Sequence, residues 1–244
     1  MCTVTFSPRP RGYALAMNRD ESRRRTPGLS PAEKTRHGRR ILSPSEPGGG
    51  TWIAVNDTGT TFALINWYAV PAPANLEPVS RGRVVNAVSP VAWPVPAQAL
   101  LTRLPLKQIN PFRLIGIFPA AREIIEWRWD GQRLVARPAP WKLQQWISSG
   151  FDEPTAQRLR GSTFQRALPQ KSAGTLDWLR RLHRSHGPLA GPFSTCMHRA
   201  DAATVSYSEV TVAPGRVTLR YHAGAPCAAS QPRVVARLVR SKKP

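Results

Sequence analysis

Cysteine is scarce in this chain: Cys2, Cys196 and Cys227 are the three among 244 residues. An odd number with no C-x-x-C spacing indicates neither a disulfide framework nor a zinc finger. Cys196 and His198 stand two apart, which on a strand amounts to one pair of potential ligands on one face. They read as an ordinary buried thiol and its neighbour, and no metal or other cofactor is expected. Long apolar runs are absent too: none approaches the ~18 residues of a transmembrane helix. A secretory signal is not indicated either, because Pro8, Arg9, Pro10 and Arg11 interrupt the N-terminus before an apolar stretch forms. The stretch Tyr13–Met17 is too short to serve, so a cytoplasmic protein is expected.

Acidic residues are the other shortage. Fourteen acids face 35 basic residues, giving a net charge of +21. Such a field attracts nucleic acid or anionic lipid without a dedicated site. The arginines are scattered, however, and no helix-turn-helix, RNA-recognition or zinc motif accompanies them. Nucleic acid is therefore expected as a non-specific partner, held by charge alone. Hydrophobic residues make up 41%, enough for a core in a domain of this size, which buries roughly 70% of its unfolded surface.

Strand signals open the chain. Thr3–Phe6 alternates in side-chain face, Pro8–Gly12 supplies turn chemistry, and Tyr13–Met17 resumes a strand. Chain termini usually fray, so a strand beginning at residue 2 or 3 suggests a terminus that must be held. Residues 22–50 read as an Arg/Pro/Gly-rich loop. A hairpin follows over Thr51–Val55 and Thr60–Asn66, with its turn at Asn56–Gly59. Val70–Pro78 reads as a loop, and Arg83–Ala87 as the opening of a short helix. Pro111–Phe118, Ile124–Trp129 and Gln132–Ala136 suggest a meander turning at Asp130-Gly131. Asp152 caps a helix running to Leu168, with Pro154 in its first turn. A second helix spans Leu176–His183. Strands follow near Thr195, over Ala203–Val212 and over Arg216–Tyr221. One α+β domain over residues 1–232 is expected, with 233–244 as a basic tail.

Cys2 is the sharpest chemical signal. A small residue after Met1 permits removal of the initiator, leaving a cysteine that carries its own α-amine. That amine has a pKa near ~8 and accepts the thiol proton at neutral pH. Nucleophile and base then occupy one residue. Asn18, Arg19, Asp20 and Glu21 end the strand expected to pair with that of Cys2, so Asn18 and Asp20 approach the amine and a carboxylate there tunes it.

Met1-Cys2-Thr3-Val4 followed by Asn18-Arg19-Asp20-Glu21 resembles the NRDE domain family, which includes the second transport and Golgi organisation protein of animals. Gly49-Gly50-Thr51-Trp52, Asn66, Arg81-Gly82-Arg83, Arg199 and Thr204-Val205 match in order. The resemblance implies a four-layer αββα N-terminal-nucleophile (Ntn) hydrolase-like sandwich of two antiparallel sheets. It is distantly similar to choloylglycine hydrolases and penicillin acylases, which cut amides with an N-terminal cysteine. Carried over by position, Cys2 is the nucleophile and Asp20 the partner of its amine. Asn66 is an oxyanion or orienting donor, and Arg199 a charge that lowers the thiol pKa. Asn18, Arg19, Ser148 and Ser149 fall on the substrate-binding side. Two departures stand out. Met17 occupies the place of an arginine of the bile-salt enzymes, and Ser148-Ser149 replace an oxyanion asparagine; a serine has a shorter reach.

The implied function is acyl cleavage or transfer at a non-peptide C–N bond of a small-molecule acyl or amide substrate. The alternative is an Ntn-fold protein that binds or traffics a hydrophobic ligand, an acyl chain or haem, without turnover. A nucleic-acid-binding protein is the third reading, supported by charge alone. Trp52, Trp67, Trp127, Trp129, Trp141, Trp146 and Trp178 either line an apolar pocket or fill core, and packing explains most of them.

Overall fold

A computed structural model describes residues 2–72, 78–187, 189–228 and 233–241. The first hairpin sets the frame. Strands β1 (Cys2–Arg9) and β2 (Gly12–Ser22) pair antiparallel, from Cys2 opposite Arg19 to Arg9 opposite Gly12. The two-residue period of a strand then divides the side chains between two faces. Val4, Phe6, Tyr13, Leu15 and Met17 enter one core, while Ala14 and Ala16 join another on the opposite face.

The remaining strands are β3 (Leu29–Arg36), β4 (Arg39–Ser45), β5 (Ile53–Asn56), β6 (Thr61–Asn66), β7 (Phe112–Phe118), β8 (Glu123–Trp129) and β9 (Leu134–Ala139). They are followed by β10 (Gln144–Ser148), β11 (Ala202–Ala213), β12 (Arg216–Ala223) and β13 (Arg233–Val239). One six-stranded sheet runs β10-β1-β2-β11-β12-β13, and a seven-stranded sheet runs β3 to β9 in chain order. All the strand pairs are antiparallel among the described residues.

Helices α1 (Gly82–Val88) and α2 (Pro94–Thr102) bring Val84, Val85, Val88, Ala97 and Leu101 onto Phe62, Leu64, Phe118 and Trp127 of the seven-stranded sheet. On the other side, α3 (Glu153–Ala167) and α4 (Leu176–Arg184) bring Phe164, Trp178, Leu179 and Leu182 onto Ala14, Ala16 and Tyr207. Small residues on β2 let the helices approach closely. Between the sheets lies a third core that includes Cys2, Phe6, Ile53, Ile65, Val210 and Leu219. The architecture is the expected αββα sandwich.

The α3 cap is as expected, with the Asp152 carboxylate accepting from the Thr155 N–H. Other expectations change. The loop assigned to residues 22–50 contains β3 and β4; β3 is an edge strand, mostly solvent-facing, so apolar alternation never marks it. Part of the expected basic tail is β13, an edge strand of the six-stranded sheet in which Leu238 is buried. Residues 242–244 of that stretch lie outside the described residues, as do 73–77 of the loop expected over 70–78. Thr195 is buried but not in a strand. Trp127, Trp129, Trp146 and Trp178 are core, as packing predicts. Among the described residues no helix is long and apolar enough to cross a membrane.

Candidate functional site around Cys2

Cys2 opens β1 between two neighbours, Arg19 on β2 and Ser148 on β10. Its main-chain N–H donates to Ser148 Oγ at 3.2 Å. The side chain is buried, at 7% exposure, and lines a cavity of about 270 Å³ whose wall includes Arg19, Asp20, Thr51, Asn66 and Arg81. Burial pushes the thiol pKa up and Asp20 adds to this; the terminal ammonium, Arg19 and a hydrogen bond from the Asp20 N–H act the other way. This corrects the expected lowering. Arg199, assigned that task by position, pairs with Asp201 at 2.7 Å and lies over the Phe151 ring. It does not line the cavity.

Asp20 is held from the helix side. Its Oδ1 accepts from Thr204 Oγ1 at 2.6 Å and its Oδ2 from Arg160 Nη1 at 3.0 Å. The same guanidinium nitrogen donates to Thr3 Oγ1 at 2.9 Å. Neither side chain of the pair is exposed, so the charges are desolvated and depend on each other. Nothing in the sequence marked Arg160, on a helix with a largely polar surface.

Asn18 does not reach the cavity. Its Nδ2 donates to the carbonyls of His183 and Thr195 at 2.9 and 2.8 Å, and its Oδ1 meets His183 Nδ1 at 3.0 Å. His183 Nε2 meets Thr5 Oγ1 at 2.9 Å. Burial, and then Arg160, lower the His183 pKa to about 3, leaving the ring neutral. With Asn18 Oδ1 accepting, Nδ1 carries the proton and Nε2 accepts from Thr5. Asn18 therefore ties β2 to α4 and to the chain before β11, and offers nothing to a substrate.

Arg19 and Arg25 share two carboxylates. Arg19 lies 3.2 Å from Glu21 and 2.8 Å from Glu46; Arg25 lies 2.9 and 3.0 Å from the same pair. The Arg19 guanidinium also stacks 4.5 Å over Trp52. This ring is charge-balanced. Arg81 differs: its Nη1 donates to the Pro111 carbonyl at 3.2 Å, and no carboxylate pairs with it among the described residues. Asn66 Nδ2 donates to the Tyr68 hydroxyl at 2.7 Å on the cavity wall. Ser148 and Ser149 are both buried, and Ser149 Oγ accepts from the Phe151 N–H at 3.3 Å. The sequence therefore located Cys2, Arg19, Asp20, Asn66 and Ser148 at one site and missed Glu46 and Arg81 as wall residues.

Residues 1–120 match the family model described as Transport and Golgi organisation 2. That is the family the sequence resembles. Penicillin V acylase from Agrobacterium tumefaciens superposes with a TM-score of 0.59 at 11% identity, covering 96% of this chain and 85% of that one. A mutant conjugated bile acid hydrolase from Clostridium perfringens gives 0.55 at 9% identity, covering 99% and 98%. At such identities the likeness shows the fold, that of Ntn hydrolases. No curated protein matches the sequence significantly.

Within the matched Transport and Golgi organisation 2 segment, two glycine motifs meet. A Cβ on Gly82 would lie 2.6 Å from Thr51 N and 2.7 Å from Gly50 Cα. Gly49-Gly50-Thr51-Trp52 and Arg81-Gly82-Arg83 thus pack backbone to backbone, which sets Arg81 and Trp52 on one cavity wall.

Beyond that segment, Cys196 and His198 have company. Donor atoms of His186, Cys196, His198 and Cys227 all lie within 4.8 Å of one another. The sequence offered one pair of ligands, because His186 and Cys227 lie in irregular segments whose course no local period fixes.

Proposed function

We propose that this protein is a cysteine amidohydrolase or acyltransferase acting on a small, polar amide. The observation that carries this reading is Cys2 at the start of β1, with its nitrogen at Ser148 Oγ and its side chain in a cavity shared with Asp20 and Asn66. Once Met1 is removed, the α-amine of Cys2 accepts the thiol proton. The thiolate attacks the amide carbon, and the carbonyl π electrons move to oxygen. Asn66 Nδ2 donates to that oxyanion, and Ser148 Oγ–H is a second donor. Collapse breaks the C–N bond, the leaving amine takes the proton from the ammonium, and a thioester remains. Water, or an acceptor amine in transfer, then releases the acyl group and restores the thiol. Asp20, fixed by Arg160 and Thr204, keeps the terminal ammonium in place.

The charged wall favours a polar substrate. Arg81, the wall cation with no carboxylate partner among the described residues, suits a substrate carboxylate. The same wall argues against an acyl chain or haem filling this cavity. The test is a screen of N-acyl amino acids, acyl-homoserine lactones, penicillins and conjugated bile acids against wild type and Cys2→Ser. Turnover by wild type that the serine variant loses supports the reading. No turnover, together with equal binding of acyl-CoA or haem by both forms, transfers it to a carrier.

A further inference from the structure

We infer that His186, Cys196, His198 and Cys227 form a structural zinc site. The cluster is independent of the Cys2 cavity, none of whose walls it supplies. His198 Nε2 is its common vertex. It lies 3.1 Å from His186 Nε2, 3.6 Å from Cys196 Sγ and 3.4 Å from Cys227 Sγ. A tetrahedral zinc with ordinary Zn–N and Zn–S bonds separates its ligand atoms by roughly 3.3–3.8 Å. The donors therefore stand close to the vertices of such a tetrahedron.

The donor chemistry points the same way. Two thiolates and two neutral imidazoles are a structural zinc set, softer than calcium or magnesium accept. With both thiols deprotonated, the bound divalent ion is exactly balanced in charge. That matters in a chain of net charge +21. The cysteines are not joined in a disulfide. Four protein donors leave no open coordination position, which assigns the ion to structure rather than catalysis.

The site has something to hold. His186 follows α4, Cys196 and His198 lie in the irregular chain before β11, and Cys227 lies after β12. Zinc joins these three segments where secondary structure does not. It also steadies Met197, whose N–H donates to Thr204 Oγ1 at 2.8 Å; that hydroxyl in turn donates to Asp20. The ion thereby supports the residue behind the Cys2 amine.

The experiment measures metal on the full chain purified under reductant, supplemented with zinc and desalted. Wild type and Cys2→Ser are expected to retain about one equivalent by elemental analysis, as a four-ligand site requires. Cys227→Ser and His186→Gln are expected to retain little, and a chelator should lower the melting temperature of wild type but not of these variants. Exchange with cobalt(II) should give the intense visible bands of a tetrahedral thiolate complex in wild type. If His186→Gln fails to fold, Cys227→Ser, on the partly exposed loop, carries the comparison. Retention below about a tenth of an equivalent by wild type would overturn the site. An oxidised Cys196–Cys227 pair without metal, or equal zinc in both ligand variants and wild type, would do the same.

Discussion

Arg160 on α3 and Asp20 on β2 form an ion pair of 3.0 Å with neither side chain exposed to solvent. The pair crosses from the helical layer to the strand beside Cys2, so one guanidinium fixes both the packing of α3 and the position of the carboxylate. Its stability consequence is asymmetric. Removing one partner strands the other charge in the interior, at a cost of about 3–5 kcal/mol. Arg160→Met is expected to destabilise by that amount in urea titration, and Asp20→Asn comparably. The double variant is expected to lose less than the sum, because neither charge is then left alone. Additive losses would show that the two residues act separately.

His183 makes the fold sensitive to acid. Its folded pKa, about 3, lies below the ordinary value of 6.5. Between those values the unfolded chain takes up a proton that the folded chain refuses, so acid favours unfolding. Stability from this group is complete above pH 6.5 and falls as pH drops toward 3, by about 1.4 kcal/mol per unit. His183→Gln, which keeps an amide donor and acceptor near Asn18 and Thr5, should lower stability at neutral pH. Its stability should then fall less steeply over that interval. Parallel curves for the two proteins would remove His183 as the cause.

What the sequence revealed and concealed follows from range. The β1–β2 hairpin, the hairpin through Asn66, the β7–β9 meander and the capped α3 are written in local pattern, and each was legible. Strands β3 and β13 are sheet edges with little to bury, so their arginines and prolines resembled loop. Helix α2 opens with Pro94 and Pro96, which suit a first turn, yet no element is read from the sequence there. At the site, Cys2 and Asp20 were visible through one short motif near the terminus. Arg160 was invisible because 140 residues separate it from Asp20. His186, 12 residues before His198, and Cys227, 29 after it, were hidden differently, because they sit in irregular segments whose course no local period fixes. Arg199, given a role near the thiol by position, pairs instead with Asp201 and lies over Phe151, and it does not line the Cys2 cavity.

The contact between Gly50 and Gly82 gives the cavity wall little tolerance. An added methyl at Gly82 would meet backbone at 2.6–2.9 Å, which no rotamer change relieves. Gly82→Ala is expected to cost about 1–3 kcal/mol through the enforced backbone shift. It should also displace Arg81 and weaken binding of carboxylate-bearing amides several-fold relative to neutral analogues. Gly161→Ala is the control, since its added methyl meets no atom within 4 Å. Equal effects of the two substitutions on carboxylate preference would separate Gly82 from the placement of Arg81.

The α-amine of Cys2 admits a test that leaves every side chain in place. Inserting one alanine between Met1 and Cys2 still allows removal of the initiator but leaves the terminus on alanine. Cys2 then has an amide N–H and no longer has a base of its own. The β1 register, set by pairing with Arg19 and Ser148, is retained, so circular dichroism and the melting temperature should change little. Turnover should fall by about 100-fold or more, the usual contribution of a positioned general base. Alkylation of Cys2 at neutral pH should slow in parallel, because burial alone raises the thiol pKa. Intact mass would verify the new terminus in each preparation. Should the extended protein keep wild-type turnover, the base would be some other group and the terminal-amine mechanism would fail, even with Cys2 still the nucleophile.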